Sequence, residues 1–277
     1  MLWKQFFTPV TSIDAIQAKK LVTDEGADNV TFLDVRQPNE YENFHIPGAY
    51  LVPLGELDKR LGELDPKKPV VVYCAIGGRS RVAAQMMAGK GFTQLYNLSG
   101  GIKGWNSEVA MGSPELGLEI FSGAETPEQT IIIGYGLEQG LREFYLDMQK
   151  NVTSKKAKDM FQMLADIELQ HEKQLLKLYK EMTGSSISEE TFQTDKVQPA
   201  MEGGLTTAQY LERFSPDLES ELDILSLAIS IEGQALDLYQ RAANRAEQEN
   251  VKTVLRHIAN EERGHIKKLT EYLDAMA

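Results

Sequence analysis

The chain has 277 residues, 42% of them hydrophobic and 25% charged, which is the ordinary make-up of a globular protein long enough for two domains or one large one. One cysteine excludes intrachain disulfides and cysteine-based metal knuckles, and a formal charge of −12 argues against a nucleic-acid partner, whose phosphates need a basic face. No run of 18 apolar residues offers a membrane span, and the start MLWKQFFTPV lacks the charged-then-apolar order of a signal peptide, so a cytoplasmic protein with no membrane partner is expected.

The first hundred or so residues alternate short strands and helices. Residues 30–35 (VTFLDV), 70–74 (VVVYC) and 94–98 read as β-branched or apolar strands bounded by turn residues, with a helix over 81–89 that ends at glycine. Strand, helix and strand at this spacing predict an α/β unit with a parallel sheet. From residue 127 the pattern changes to long helices. Thr126-Pro127-Glu128-Gln129 is a helix start, with threonine as cap, proline at the first helical position and glutamine at the third. Helices are predicted over 127–151, 154–183, 217–247 and 250–275. Residues 184–216, with Gly184, Pro199, Gly203, Gly204 and Pro216, read as a long connection. Two hairpins joined by a crossover describe a four-helix bundle of the ferritin type. The expected division is 1–106, a linker over 107–126 carrying Gly112, Pro114, Gly117 and Gly123, and 127–277.

Cys74 ends a strand and is followed by Ala75, Ile76, Gly77, Gly78, Arg79 and Ser80. A lone cysteine after an apolar strand is most often a small buried hydrophobe. Here the glycines let the loop curl so that its N–H groups point inward, the next helix starts at the loop, and Arg79 adds a charge. Together these favour a thiolate and suit a bound persulfide anion. A cysteine with four residues between it and its arginine makes a tighter cup than a phosphate-binding ring, which has five. The segment resembles a rhodanese domain: Leu33-Asp34-Val35-Arg36, Glu40-Tyr41, His45-Ile46-Pro47-Gly48-Ala49, the loop pattern CxxGxRS with Ala83 and Ala84 behind it, then Gly100-Gly101 and Trp105. The likeness spans residues 10–105. It implies that Cys74 accepts sulfane sulfur as a persulfide and passes it to a thiol or other acceptor, with Arg79 and the loop amides holding the anion. Phe44 stands where glycine commonly precedes the histidine, and Ala75 and Ile76 replace basic residues, which reads against thiosulfate as donor. Asp34, Arg36 and His45 are expected to form a buried polar network that holds the loop.

Within the helical half, a single pattern occurs twice. Glu138, Tyr145, Glu168 and His171 recur 94 residues later as Glu232, Tyr239, Glu262 and His265. From the abundance of these residue types, and allowing for a shift chosen after inspection, chance would produce this about once in 2,000 sequences. The positions sharing a face with these glutamates are mainly apolar, such as Ala228, Ile229, Leu236, Ile258 and Leu164. Four carboxylates on core stripes need partners or protons, and two divalent cations would neutralise them. One glutamate from each of two helices and a Glu-x-x-His pair from each of the others is an arrangement that holds two metals. Tyr145 and Tyr239 read as core packing, or as groups behind the ligands that hydrogen-bond their carboxylates. His257, without a glutamate three residues before it, reads as a surface residue.

This half resembles the rubrerythrin branch of the ferritin-like superfamily over about 127–275. The resemblance implies Glu138, Glu168, His171, Glu232, Glu262 and His265 as ligands, Glu168 and Glu262 bridging, and iron as the metal, with manganese or zinc as alternatives. Two features depart from that branch. Ile229 and Ala235 flank Glu232, so its additional glutamate ligand is missing, and a single cysteine cannot build its four-cysteine iron site. An external electron donor is therefore expected, or the persulfide itself. The function expected is a sulfurtransferase fused to a di-iron, peroxidase-like oxidoreductase that reduces peroxide or oxygen. The alternatives are an iron-binding or ferroxidase protein with a persulfide carrier, and a sulfide or oxidant sensor. Ferritin-like bundles often pair, so a homodimer is expected.

Overall fold

The computed structural model describes residues 10–197 and 205–276, and the chain divides into two compact units, Met1–Pro114 and Glu115–Ala277. The first is built on five parallel strands: β1 (Thr11–Ile13), β2 (Thr31–Asp34), β3 (Tyr50–Leu51), β4 (Val70–Tyr73) and β5 (Leu95–Leu98), in the order β1-β5-β4-β2-β3. The central β4 is fully buried along its length, as a Val-Val-Val-Tyr run should be when helices cover both faces. The helices of this unit are α1 (Ala15–Glu25), α2 (Pro38–Asn43), α3 (Leu57–Arg60) and α4 (Gly78–Ala88). Reciprocal capping boxes start α1, between Asp14 and Gln17, and α2, between Gln37 and Glu40. The helix expected from residue 81 begins three residues earlier, at Gly78, because the turn that aims it is made by Gly77 in the left-handed region, at φ +99°.

The second unit is helical. α5 (Pro127–Asn151) pairs along α6 (Lys155–Thr183), and α9 (Glu221–Arg245) pairs along α10 (Glu249–Met276). Thr126 and Gln129 form the capping box of α5 around Pro127, and Gly184 closes α6 in the left-handed conformation. The connection expected to be irregular holds two short helices, α7 (Glu189–Lys196) and α8 (Thr207–Phe214). Ser188 and Thr206 cap them, and Phe192 of α7 is buried against Tyr135 and Tyr179 at ring separations of 5.0 and 4.9 Å. Pro199, Gly203 and Gly204 lie outside the described residues.

The segment read as a linker is folded for most of its length. In the first unit, His45 and Ala110 exchange backbone hydrogen bonds of 2.8 and 2.9 Å, and Gly112 donates to the Glu42 carbonyl at 2.8 Å. In the second, Leu118 and Phe121 join the bundle core, and Arg241, gripped by Asp237 at 2.7 Å, donates to the Leu116 carbonyl at 2.7 Å. Gly117 and Gly123 serve positive-φ turns within this segment. Among the described residues no helix is long and apolar enough to cross a membrane.

The bundle interior consists of two apolar clusters stacked end to end. On α5, residues up to Leu137 belong to one cluster and Leu141 onward to the other. On α6 the change falls between Ala165 and Leu175, and on α9 between Ile231 and Ala235. Glu138, Glu168, His171 and Glu232 lie at this junction, and on α10 the change falls just beyond His265, between Ile266 and Leu269.

Candidate functional site

Cys74 follows β4 directly and is only 1% exposed. Its Sγ receives the Gly77 N–H at 3.1 Å and has the Ser80 hydroxyl 3.5 Å away. That hydroxyl has a single proton, for which Asn97 Oδ1, at 2.7 Å, competes with the sulfur, and the Asn97 amide donates to Ser12 at 3.2 Å. Burial pushes the thiol up, but the Ser80 hydroxyl and the N–H groups of Ser80, Ile76 and Gly77 outweigh it and hold the thiol below its ordinary value. A second loop braces the first. Ile102 N–H donates to the Cys74 carbonyl at 2.8 Å and Lys103 N–H to the Ala75 carbonyl at 3.2 Å. Gly101 makes this approach possible. A β-carbon there would lie 2.3 Å from the Cys74 carbonyl oxygen and 2.6 Å from backbone atoms of Ala75 and Ile76.

Arg79 interacts with Cys74 and is also held by a carboxylate. Both its terminal nitrogens are engaged by Glu40, at 2.7 Å each, in a two-pronged ion pair. The Arg79 guanidinium holds the Glu40 carboxyl down to about 2. Asp34, Arg36 and His45 form a scaffold. Arg36 grips Asp34 at 2.6 and 2.9 Å and donates to the Phe44 carbonyl at 2.8 Å, while the His45 ring stacks on Tyr41 at 3.6 Å.

In the second unit, Glu138 on α5 with Glu168 and His171 on α6 form one group, and Glu232 on α9 with Glu262 and His265 on α10 form another. Within each group one ligand atom per residue lies within 4.8 Å of the others, and all six residues are buried. His171 Nδ1 lies 2.7 Å from Glu168 and 3.2 Å from Glu138, and His265 Nδ1 lies 3.1 Å from Glu262 and 3.8 Å from Glu232. The two imidazoles stack in parallel at 3.5 Å, so the groups meet as one centre. Burial, and then the Glu232 charge, push the Glu168 carboxyl well up. Burial opposes charge on His171, but Glu138 and Glu168 outweigh it and push its pKa up to about 11.

These residues fit a pair of metal ions. Glu168 Oε1 and Glu232 Oε1 are buried and find no hydrogen-bond partner among the described residues, so each has lone pairs to give. Four carboxylates balance two divalent cations, and the all-oxygen and imidazole donor set suits iron, manganese or zinc. Tyr145 packs against Phe144 and Phe161 at 5.4 and 6.4 Å, and Tyr239 meets Phe121 edge-on at 6.3 Å. His257 is exposed, beside Glu261.

A rhodanese-like domain model matches residues 14–108, and a rubrerythrin model matches residues 223–277. The uncharacterized protein YqhL of Bacillus subtilis is 42% identical over 94 residues, which cover 32% of this chain and 75% of that protein. The thiosulfate sulfurtransferase GlpE of Shewanella oneidensis is 33% identical over 101 residues, 36% of this chain and all of that protein. A rhodanese-related crystal structure from Thermoplasma volcanium shares 28% identity over 36% of this chain and 98% of its own, with a TM-score of 0.33. The chain is a rhodanese-like domain joined to a rubrerythrin domain. The rubrerythrin match covers α9 and α10, and α5 and α6 enter through the 94-residue repetition of the pattern.

Sequence reasoning missed several residues at both sites. In the rhodanese-like domain these are Glu40 as the partner of Arg79, and Asn97 and Ser12 behind Ser80. Glu40 carried a visible signal, as the third helical residue of a capping box, but its pairing across 39 positions did not. In the rubrerythrin half it missed the pair Arg142–Glu172, at 2.8 Å, whose glutamate is fully buried one turn after Glu168. Burial raises the Glu172 carboxyl against the pull of Arg142. The 94-residue shift places Leu236 and Ile266 at these two positions, so this polar pair marks one hairpin alone.

Proposed function

We propose that the chain is a bifunctional enzyme, a sulfurtransferase that carries sulfane sulfur as a persulfide on Cys74 and a di-iron oxidoreductase that reduces peroxide or oxygen. What carries the reading is the donor chemistry of the two sites: a thiol ringed by amide donors, and two Glu-Glu-His groups meeting at the stacked His171 and His265 rings.

In the loop, the Cys74 thiolate attacks the outer sulfur of a persulfide RS–SH. The donor's S–S bond breaks, its electron pair leaves on RS, and RS takes up the proton, so Cys74 becomes Cys–S–S⁻ and RSH departs. The amides of Ile76, Gly77 and Ser80, which favour the thiolate, then face an anion one sulfur longer. A thiol or other acceptor removes the outer sulfur and regenerates the thiolate.

In the bundle, Glu138, Glu168 and His171 would hold one ion, and Glu232, Glu262 and His265 the other. Bound iron would supply two electrons to the oxidant. The two apolar clusters above and below the junction keep bulk water from the carboxylates. Electrons enter from an external donor. A cytoplasmic homodimer belongs to this reading.

The test is protein purified without oxygen. Two metals per chain, rapid stoichiometric oxidation by peroxide that a reductant reverses, and loss of both in Glu232→Ala are expected. Slow oxidation with mineral deposition would replace the oxidoreductase by an iron store. Cys74→Ser should lose sulfur transfer from every donor and keep its metal, and a serine variant that still turns over would refute the persulfide assignment.

A further inference from the structure

We propose that Glu40 is a specificity-determining residue that cancels the one cation of the persulfide loop, so that the loop takes sulfur from persulfides of low charge rather than from thiosulfate. The inference rests on the sulfurtransferase reading above and deepens it.

The loop from Cys74 to Ser80 contains one charged side chain, Arg79, and both its terminal nitrogens are bonded to the two oxygens of Glu40. A fork-to-fork pair holds a guanidinium strongly; it takes one N–H from each terminal nitrogen and offsets the charge an incoming anion would meet, while Arg79 keeps its interaction with Cys74. Glu40 is itself set in place. Its Oε2 accepts the Gln37 N–H at 3.2 Å at the start of α2, so the carboxylate is oriented before Arg79 reaches it. The pair is half-buried, with the side chains 36% and 31% exposed, so solvent weakens it without dissolving it.

The rest of the rim adds little positive charge. Ala75 and Ile76 carry none, and Ile76 is 69% exposed at the tip of the loop. Arg81 is turned to Ser12, at 3.3 Å, and Lys103 is exposed, its backbone bracing Ala75. With Cys74 as thiolate, the three groups Cys74, Arg79 and Glu40 together carry one negative charge.

Donors feel this differently. Thiosulfate brings a dianion. For transfer, the Cys74 thiolate must attack its outer sulfur, the S–S bond breaks, and the electron pair leaves on sulfite, SO₃²⁻. The two negative charges sit next to the reacting sulfur throughout and need a cation that Glu40 has already taken. A neutral RS–SH reacts by the same displacement with no such requirement.

The experiment measures kcat/KM for thiosulfate and for cysteine hydropersulfide with the full chain, at several salt concentrations. Glu40→Gln keeps a hydrogen-bonding side chain at the helix start but releases the Arg79 charge. It should shift the ratio of the two kcat/KM values toward thiosulfate by about tenfold or more, carried mainly by KM. Glu40→Asp, which restores the charge, should return the ratio toward that of the unaltered protein. In the unaltered protein, thiosulfate turnover should rise with salt as like charges are screened, and in Glu40→Gln this rise should disappear. The salt response of the unaltered protein tests the inference even if a variant fails to fold: a rate for thiosulfate that falls with salt would overturn it. A donor ratio that Glu40→Gln leaves unmoved would also overturn it, while leaving sulfur transfer itself standing. Turnover of neither donor by the unaltered protein would overturn the sulfurtransferase reading and this inference together.

Discussion

Adding one methyl group at Gly101 tests the two-loop construction of the cysteine site. The new β-carbon of Gly101→Ala would sit 2.3 Å from the Cys74 carbonyl oxygen and 2.6 Å from the Ala75 carbonyl carbon and the Ile76 nitrogen. All three are backbone atoms, so no side chain can swing away. The residue also sits at φ +56°, where a non-glycine residue costs about 1 kcal/mol. Relieving the overlap by moving backbone adds roughly 1–3 kcal/mol, for a total of about 2–4 kcal/mol. In a domain of this size each kcal/mol lowers Tm by about 4–8 °C. The displaced loop would also lose the aim of its Gly77 and Ile76 amides at Sγ, so the thiol should rise toward its ordinary pKa. Thermal unfolding of the full chain, followed in the transition of the first unit, reads the stability, and the pH profile of Cys74 alkylation reads the thiol. Gly62→Ala is the control, because no atom lies within 4 Å of its added carbon and its φ is not positive, and it should change stability by less than about 0.5 kcal/mol. A Gly101→Ala protein with the native Tm and the native alkylation profile would refute the brace.

Three further outcomes follow from the geometry. Ser80→Ala removes the first of the groups that hold the Cys74 thiol down, so alkylation at neutral pH should slow by about fivefold, and an unchanged rate would separate the hydroxyl from the sulfur. Arg142→Leu strands the fully buried Glu172 and should cost about 3–5 kcal/mol, whereas the double variant Arg142→Leu/Glu172→Ile, which copies Leu236 and Ile266, should recover most of that loss in thermal unfolding. Because the metal-free His171 pKa is pushed up to about 11, the ring carries a proton at neutral pH that a metal must expel; loading should therefore release protons into a weak buffer, with apparent affinity rising as pH rises, and loading without proton release would contradict the ligand set.

The sequence carried those features of the molecule that depend on short-range pattern. Val70–Tyr73 declared itself as a buried parallel strand because every residue in it is apolar or aromatic, and α5 declared its start through Thr126, Pro127 and Gln129. The Glu-x-x-His pairs were readable because three residues along a helix share a face. β1 and β3, of three and two residues, are too short to show an alternation, and they are strands only because β5 and β2 offer them edges. α7 and α8 were hidden among glycines and prolines, and their amphipathic faces become meaningful only against the bundle. The Glu40 partner of Arg79 was hidden for the same reason. A cation next to a cysteine looks available until the fold brings Glu40 to it from 39 positions away. Long-range pairing between polar side chains leaves no periodic trace in a single chain.

The location of the stacked imidazoles has an ancestral reading. Each hairpin supplies one complete Glu-Glu-His set, and His171 and His265 lie face to face at 3.5 Å with their planes 4° apart. Two copies of a single helical hairpin, docked about a dyad passing between those rings, would generate the same six ligands from one self-complementary surface. The bundle is thus organised as a homodimer written into one polypeptide, with the 184–216 connection as the seam. The two halves of that arrangement are not identical: Arg142 and Glu172 pair in one hairpin where the other has Leu236 and Ile266.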